Sequence, residues 1–129
     1  MAKPLFTNNA YSTLASSITD IATTMTVATG EGARFPAVSG GDYFYATLID
    51  TSNNMEIVKV TARSTDTFTV VRGQDGTSGT AFSASDRVEL RPTAAAIEEA
   101  AAGGYLDGAS IPDDTIVTAN ITDANITYA

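Results

Sequence analysis

The chain has 129 residues, which fits one domain with an appendage, and it contains no cysteine and no histidine. These two absences exclude disulfide bonds, thiolate metal sites and acid–base catalysis by imidazole. The net charge of −8 is concentrated in residues 92–129, which hold six acidic residues and no basic one, so nucleic acid is not expected as a partner.

Apolar runs are short throughout the sequence. None approaches the roughly 18 apolar residues that a membrane span requires, and the first residues lack the apolar region of a secretory signal. The sequence therefore predicts a soluble protein that is made in a cytoplasm and has no membrane partner.

Short apolar segments alternate with turn residues over the first 91 residues, a pattern typical of β-strands. We predict strands at residues 12–18, 23–28, 43–49, 55–61, 67–71 and 87–91. The third and fourth of these flank residues 50–54, whose Asp and Asn residues favour a hairpin turn. Within the fourth, Glu56, Val58 and Val60 share one face. The pattern indicates an all-β fold, a small antiparallel β-sandwich or barrel.

Composition changes at Pro92, where an alanine-rich run begins that ends at Gly103 and Gly104. Proline at the start, strong helix formers and a terminal glycine predict one short C-terminal helix. At about three turns this helix is marginal alone, so we expect it to pack on another element. The chain thus divides into a β-rich body at 1–91, a helical connector at 92–104 and an acidic extended tail at 105–129.

The tail carries isoleucines at a constant spacing of five residues: Ile111, Ile116, Ile121 and Ile126. Five matches neither the strand period of two nor the helical period of 3.6. The five-residue spacing is similar to that of the pentapeptide repeat, which forms a solenoid, but the copies here are too few for a self-supporting solenoid. We expect the isoleucines to be covered by other copies of the tail or by a neighbouring protein. The alternative is a disordered acidic linker.

Three groups of side chains are candidates for a function. Neighbouring acids in the pairs 98–99 and 113–114 diverge on either a helix or a strand, so neither pair is expected to hold a metal ion. Arg72, at the start of the run Arg-Gly-Gln-Asp-Gly-Thr, is a fork donor suited to a partner's carboxylate, or else part of a strand end and turn. Tyr43 and Tyr45 share one strand face, which favours a subunit interface or the core over carbohydrate. No catalytic residue, cofactor or metal ligand is predicted, and the protein is not expected to be an enzyme.

Several runs of the sequence resemble the amino-terminal module of tailed-bacteriophage tail-fibre and related virion proteins. The runs lie at residues 8–18, 32–36, 43–48, 56–61 and 71–77, and the resemblance covers roughly residues 8–97. The tail looks like the low-complexity repeats that often follow this module.

The resemblance implies a virion structural protein that associates with itself, commonly as a homotrimer, and docks on other phage proteins of the tail, portal vertex or capsid. A receptor-binding fibre would continue for hundreds of residues, so the expected role is a fibre anchor or tail adaptor. A capsid decoration protein is the alternative, and a carbohydrate-binding module is the third possibility.

Overall fold

A computed structural model describes residues 2–103 of the chain. The predicted tail at 105–129, with Ile111, Ile116, Ile121 and Ile126, lies outside the described residues. By its internal contacts the chain divides into a unit of residues 1–97 and a unit of residues 98–129. The strands and the core described below all belong to the first unit.

Six antiparallel strands form a single sheet, which confirms the predicted all-β class. The strands are β1 (Tyr11–Thr13), β2 (Thr24–Thr26), β3 (Phe44–Ile49), β4 (Met55–Ser64), β5 (Thr67–Gln74) and β6 (Arg87–Glu89). Their order across the sheet is β1-β6-β3-β4-β5-β2. A 3₁₀ turn (Gly32–Arg34) lies between β2 and β3.

The sheet curls until its two outer strands meet at one end. Beyond β1 and β2, Leu14 and Val27 form an antiparallel bridge. Ala15 N–H donates to the carbonyl of Thr26 at 2.8 Å, and Ala28 N–H donates to the carbonyl of Thr13 at 2.9 Å. The single curled sheet corresponds to the barrel alternative of the prediction and leaves little unpaired strand edge.

The concave face of the sheet encloses the main core. Alternate residues of each strand point inward, as the period of two requires. The largest fully buried side chains are Phe44, Phe68, Leu14, Met25 and Leu48. Phe35, which follows the 3₁₀ turn, places its ring 5.7 Å from that of Phe44 and 5.0 Å from that of Phe68. This aromatic cluster anchors the turn to the sheet.

Several strand lengths depart from the prediction, and β2 and β6 are shorter than the predicted segments at 23–28 and 87–91. β4 and β5 extend to Ser64 and Gln74, three residues beyond their predicted ends, because bulges let the two strands stay paired where their registers shift. The predicted strand at 12–18 is wrong in extent. Only Tyr11–Thr13 is regular, and Leu14 and Ile18 form isolated bridges with Val27 and Phe82.

The predicted helix is present as α1 (Ala94–Ala102). Thr93 precedes it, and the Thr93 hydroxyl accepts a hydrogen bond from Ala96 N–H at 3.1 Å, an ordinary N-cap. Ala95 and Ala96 pack against a second cluster on the convex face of the sheet, formed with Tyr43, Tyr45 and Ile57. Across residues 2–103, no helix is long and apolar enough to cross a membrane.

Candidate functional site

A buried ion pair joins the adjacent strands β4 and β5. Glu56 follows the inward parity of Val58 and Val60, and it is fully buried. The Arg72 guanidinium binds it through two parallel hydrogen bonds, from Nε to Oε2 at 2.9 Å and from Nη2 to Oε1 at 2.7 Å. The same carboxylate accepts the N–H groups of Gly73 and Thr80, both at 2.8 Å. The carboxylate therefore receives four hydrogen bonds, which a buried charge requires.

Arg72 also binds two loops that lie outside the β4–β5 pair. Its Nη1 donates to the carbonyl oxygens of Thr19 at 2.6 Å and Ala22 at 3.0 Å, and its Nη2 donates to the carbonyl of Thr80. Because one guanidinium fixes both loops and the β4 carboxylate, this end of the sheet depends on a single side chain. The sequence leaves two roles open for Arg72, donor to a partner's carboxylate or part of a strand end and turn, and the carboxylate that it binds belongs to its own chain.

The residues after Arg72 complete this junction. A bulge opposite Val58 places Gly73 at a φ of 60°, a left-handed conformation that glycine adopts readily. Thr77 then returns to β4, where its hydroxyl accepts a hydrogen bond from Ile57 N–H at 3.0 Å and donates to the Gln74 carbonyl at 2.7 Å. The run from Arg72 to Thr77 is thus a strand end and turn, the structural alternative considered from the sequence.

Asp75 links the same run to α1. Its Oδ2 accepts a hydrogen bond from Ala95 N–H at 3.1 Å, in the first turn of the helix. A carboxylate at this position satisfies an otherwise unpaired N–H and interacts favourably with the helix dipole. The motif therefore connects β4, β5 and the start of the helix that leads towards the tail. We refer to the side chains of Glu56, Arg72, Asp75 and Thr77 as the junction cluster.

Tyr43 and Tyr45 lie side by side on the convex face of the sheet. Their rings are 5.6 Å apart in an edge-to-face arrangement, and the Lys59 ammonium lies 4.2 Å from the centre of the Tyr43 ring. The two residues are only 7% and 4% exposed, because Ala95 and Ala96 pack on them. The chain itself thus uses both rings for packing. Their proposed contact with another subunit stays a prediction.

An exposed group of arginines and one tyrosine lies on the β1–β6 side of the sheet. Tyr11, 54% exposed, pairs in register with Glu89 of β6. The Arg34 guanidinium lies 4.7 Å from the centre of the Tyr11 ring and donates to the Tyr11 carbonyl at 3.1 Å. Glu89 in turn binds Arg91 at 2.8 Å and Arg87 at 3.5 Å. We call these five residues the arginine face. Sequence patterns do not reveal this surface, because its members come from positions up to 80 residues apart in the chain.

A shallow depression of about 230 Å³ lies between the β3–β4 turn and the start of β6. Its two carboxylates are already used by their own turns. Asp50 accepts the N–H groups of Ser52 at 2.9 Å and Asn54 at 2.8 Å, and Asp86 accepts Ser83 N–H at 2.7 Å. The hydrogen bonds from the side chain and backbone of Asn54 lower the pKa of Asp50. The depression therefore offers a ligand little that is not already bonded.

In the part of the chain from residue 2 to residue 103, no group of three or more Asp, Glu, Cys or His side chains is placed to hold a metal ion. Glu98 and Glu99 are neighbours on α1, where adjacent side chains diverge by about 100°.

Comparison of the sequence with protein-family models finds no family that matches. Comparison with curated proteins likewise finds no match.

Proposed function

We propose that this chain is a structural protein of a bacteriophage virion, a self-associating fibre-anchor or tail-adaptor module that docks on other phage proteins. One observation carries the proposal. The run at 71–77, through which the sequence resembles the amino-terminal module of tail-fibre proteins, supplies Arg72, Asp75 and Thr77 of the junction cluster. A resemblance in residues on which the fold depends is stronger support than one in exposed loop residues.

The architecture suits a mechanical role. The curled sheet joins its outer strands to each other, so partners have little free edge on which to add a strand. Asp75 and Thr93 hold the first turn of α1, and Ala95 and Ala96 pack it on the sheet. A body of this kind provides a firm attachment point for the chain that follows, and its surface side chains make the contacts with other proteins.

The third possibility, a carbohydrate-binding module, has less support. Sugar rings stack on exposed aromatic faces, and Tyr43 and Tyr45 are almost fully covered within the chain. The capsid decoration role has no observation of its own in its favour, and it differs from the proposed role in stoichiometry. A decoration protein occupies the shell lattice in hundreds of copies, whereas an anchor at the tail or portal vertex is present in few.

The deciding experiment counts copies in purified particles. The ratio of this chain to the major capsid protein, measured by quantitative mass spectrometry with labelled peptides from both, separates the two structural roles. A few copies to a few tens of copies per particle is the expected result. Several hundred copies would make it a decoration protein, and a chain that does not copurify with particles would overturn the proposal.

A further inference from the structure

The arginine face carries a surplus of positive charge in a chain that is strongly acidic overall. Glu89 is the one carboxylate that binds both Arg87 and Arg91. Two guanidinium groups that share one carboxylate leave one positive charge uncompensated at that point. The Arg87 and Arg91 side chains are 55% and 39% exposed, so both have donors that a further acidic group can reach.

An apolar ring lies next to this charge. Tyr11 stands opposite Glu89 across the β1–β6 pair, and Arg34 covers part of its ring while more than half of the residue stays exposed. Exposed tyrosine and arginine side chains are both enriched at protein interfaces. The face therefore suits a polypeptide that is both acidic and periodically apolar.

The chain itself contains such a polypeptide. Residues 104–129 hold four aspartates and no basic residue, together with Ile111, Ile116, Ile121 and Ile126. In an extended backbone, at about 3.3 Å per residue, Ile111 and Ile116 are roughly 17 Å apart with two aspartates between them. In such a backbone Asp113 shares a face with Ile111, and Asp114 shares the other face with Ile116, so either face offers one carboxylate beside one apolar group. Arg87 and Arg91 bind the two oxygens of one carboxylate, that of Glu89, so their guanidinium groups lie close enough together for one further carboxylate to reach both.

We propose that the arginine face binds the acidic segment 104–129 of a second copy of this chain. Because the side chains of Asp113 and Asp114 diverge, one of the two meets Arg87 and Arg91, and the isoleucine on the same face of the segment packs on Tyr11. The interaction rests on the self-association in the proposed function and specifies the surface through which it occurs. Side chains carry the contact, since the outer strands of the sheet are bonded to each other and offer little backbone for pairing.

A charge exchange in the full-length chain tests the proposal. One variant carries Arg87→Glu and Arg91→Glu, and the other carries Asp113→Lys and Asp114→Lys. Each variant alone places like charges opposite each other across the contact, so we expect its self-association to weaken by about tenfold or more. An equimolar mixture of the two restores opposite charges wherever unlike copies meet, and we expect it to associate more strongly than either variant alone. Sedimentation equilibrium at 0.05 and 0.5 M NaCl measures the wild type, the two variants and their mixture, and the wild-type contact should weaken at the higher salt.

The control variant is Asp20→Asn, which removes a charge from an exposed residue away from the arginine face and should associate normally. If the wild-type chain associates and both charge variants associate equally well, this contact is wrong, and the proposed function is left intact. Variants that fail alone and also fail when mixed would overturn it as well. A wild-type chain that stays monomeric at all concentrations would overturn the contact together with the self-association on which it rests.

Discussion

The carboxylate of Glu56 is fully buried and is held by the Arg72 guanidinium through two hydrogen bonds of 2.9 and 2.7 Å. The pair lies inside the curled sheet, where the Glu56 side chain is fully buried and the Arg72 side chain is only 9% exposed. Each ion therefore depends on the other, and the loops at residues 19–22 and 80 depend on both.

Replacing Arg72 by methionine is expected to destabilise the protein strongly. The substitution leaves the Glu56 charge buried without its partner, which costs about 3–5 kcal/mol of the free energy of unfolding. The matched control is Arg91→Met, which removes a partly exposed guanidinium that binds Glu89 and costs less than about 1 kcal/mol. Urea unfolding followed by circular dichroism measures both. Equal losses in the two variants would contradict a central role for the buried pair.

Sequence reasoning anticipated the strands and their faces. The alternation that assigned Glu56, Val58 and Val60 to one face is correct, and all three are fully buried. The hairpin turn at residues 50–54 is also correct, because Asp50 accepts the N–H groups that close it. Local periodicity and turn chemistry determine these features, so they are visible in a single sequence.

The junction cluster was only partly visible. A glutamate on an apolar strand face signals a buried partner, but Arg72 is 16 residues away and its identity as that partner depends on the register of β4 with β5. The bulge at Gly73 sets that register, and strand periodicity alone does not reveal it. The arginine face was hidden for the same reason, since it unites side chains from β1, the 3₁₀ turn and β6.

Replacing Gly32 by alanine should destabilise the fold although the side chain added is only a methyl group. The new Cβ would collide with the backbone carbonyl oxygen of Thr65 and would lie 2.9 Å from Oδ1 of Asp66. Backbone atoms have little freedom to move, so we expect a loss near or above the top of the range of about 1–3 kcal/mol for overpacked sites.

Gly40→Ala is the control for this substitution. Gly40 has a φ of +62° and no heavy atom within 4 Å of an added Cβ, so only backbone strain of about 1 kcal/mol applies. Thermal unfolding of the two variants compares the effects directly. If Gly40→Ala were less stable than Gly32→Ala, the close approach of Gly32 to the turn between β4 and β5 would not determine which substitution destabilises the fold more.

Acid should weaken the fold partly through Asp66. The N–H groups of Gly30 and Gly32 donate to its carboxylate at 3.0 and 2.9 Å and lower its pKa in the folded protein. A carboxyl group with a lowered folded pKa stabilises the protein above the unfolded pKa of about 3.9, and this contribution is lost as the pH falls through the folded value. We expect the melting temperature of the wild type to fall below about pH 4. Asp66→Asn should be less stable at pH 7 and change less between pH 5 and pH 2, while Asp20→Asn should follow the wild type.

The start of α1 should loosen when Asp75 loses its carboxylate. Glycine tolerates the φ of 52° that Asp75 adopts, so Asp75→Gly preserves the backbone conformation but removes the acceptor for Ala95 N–H. Loss of such a cap costs about 1 kcal/mol, which corresponds to roughly fivefold faster hydrogen exchange. Exchange measured by NMR should rise at Ala95 and stay unchanged at Val70 in the core of β5. Asp75→Asn retains an acceptor oxygen and should exchange like the wild type, and a rise in that variant too would assign the effect to the turn.

The isoleucines of the tail should act in assembly and not in the folding of the body. Replacing Ile116, Ile121 and Ile126 by serine removes the apolar groups that the proposed association buries, each of which contributes about 1.5–3 kcal/mol when fully covered. We expect self-association and incorporation into particles to fall by at least about a hundredfold, with the urea midpoint of the body unchanged. The control replaces Val117, Ala119 and Ala124 by serine, three apolar residues outside the five-residue spacing, and should associate nearly as the wild type does. Unchanged assembly of the isoleucine variant would make the segment a linker, because an apolar contact that buried these side chains would not survive their removal.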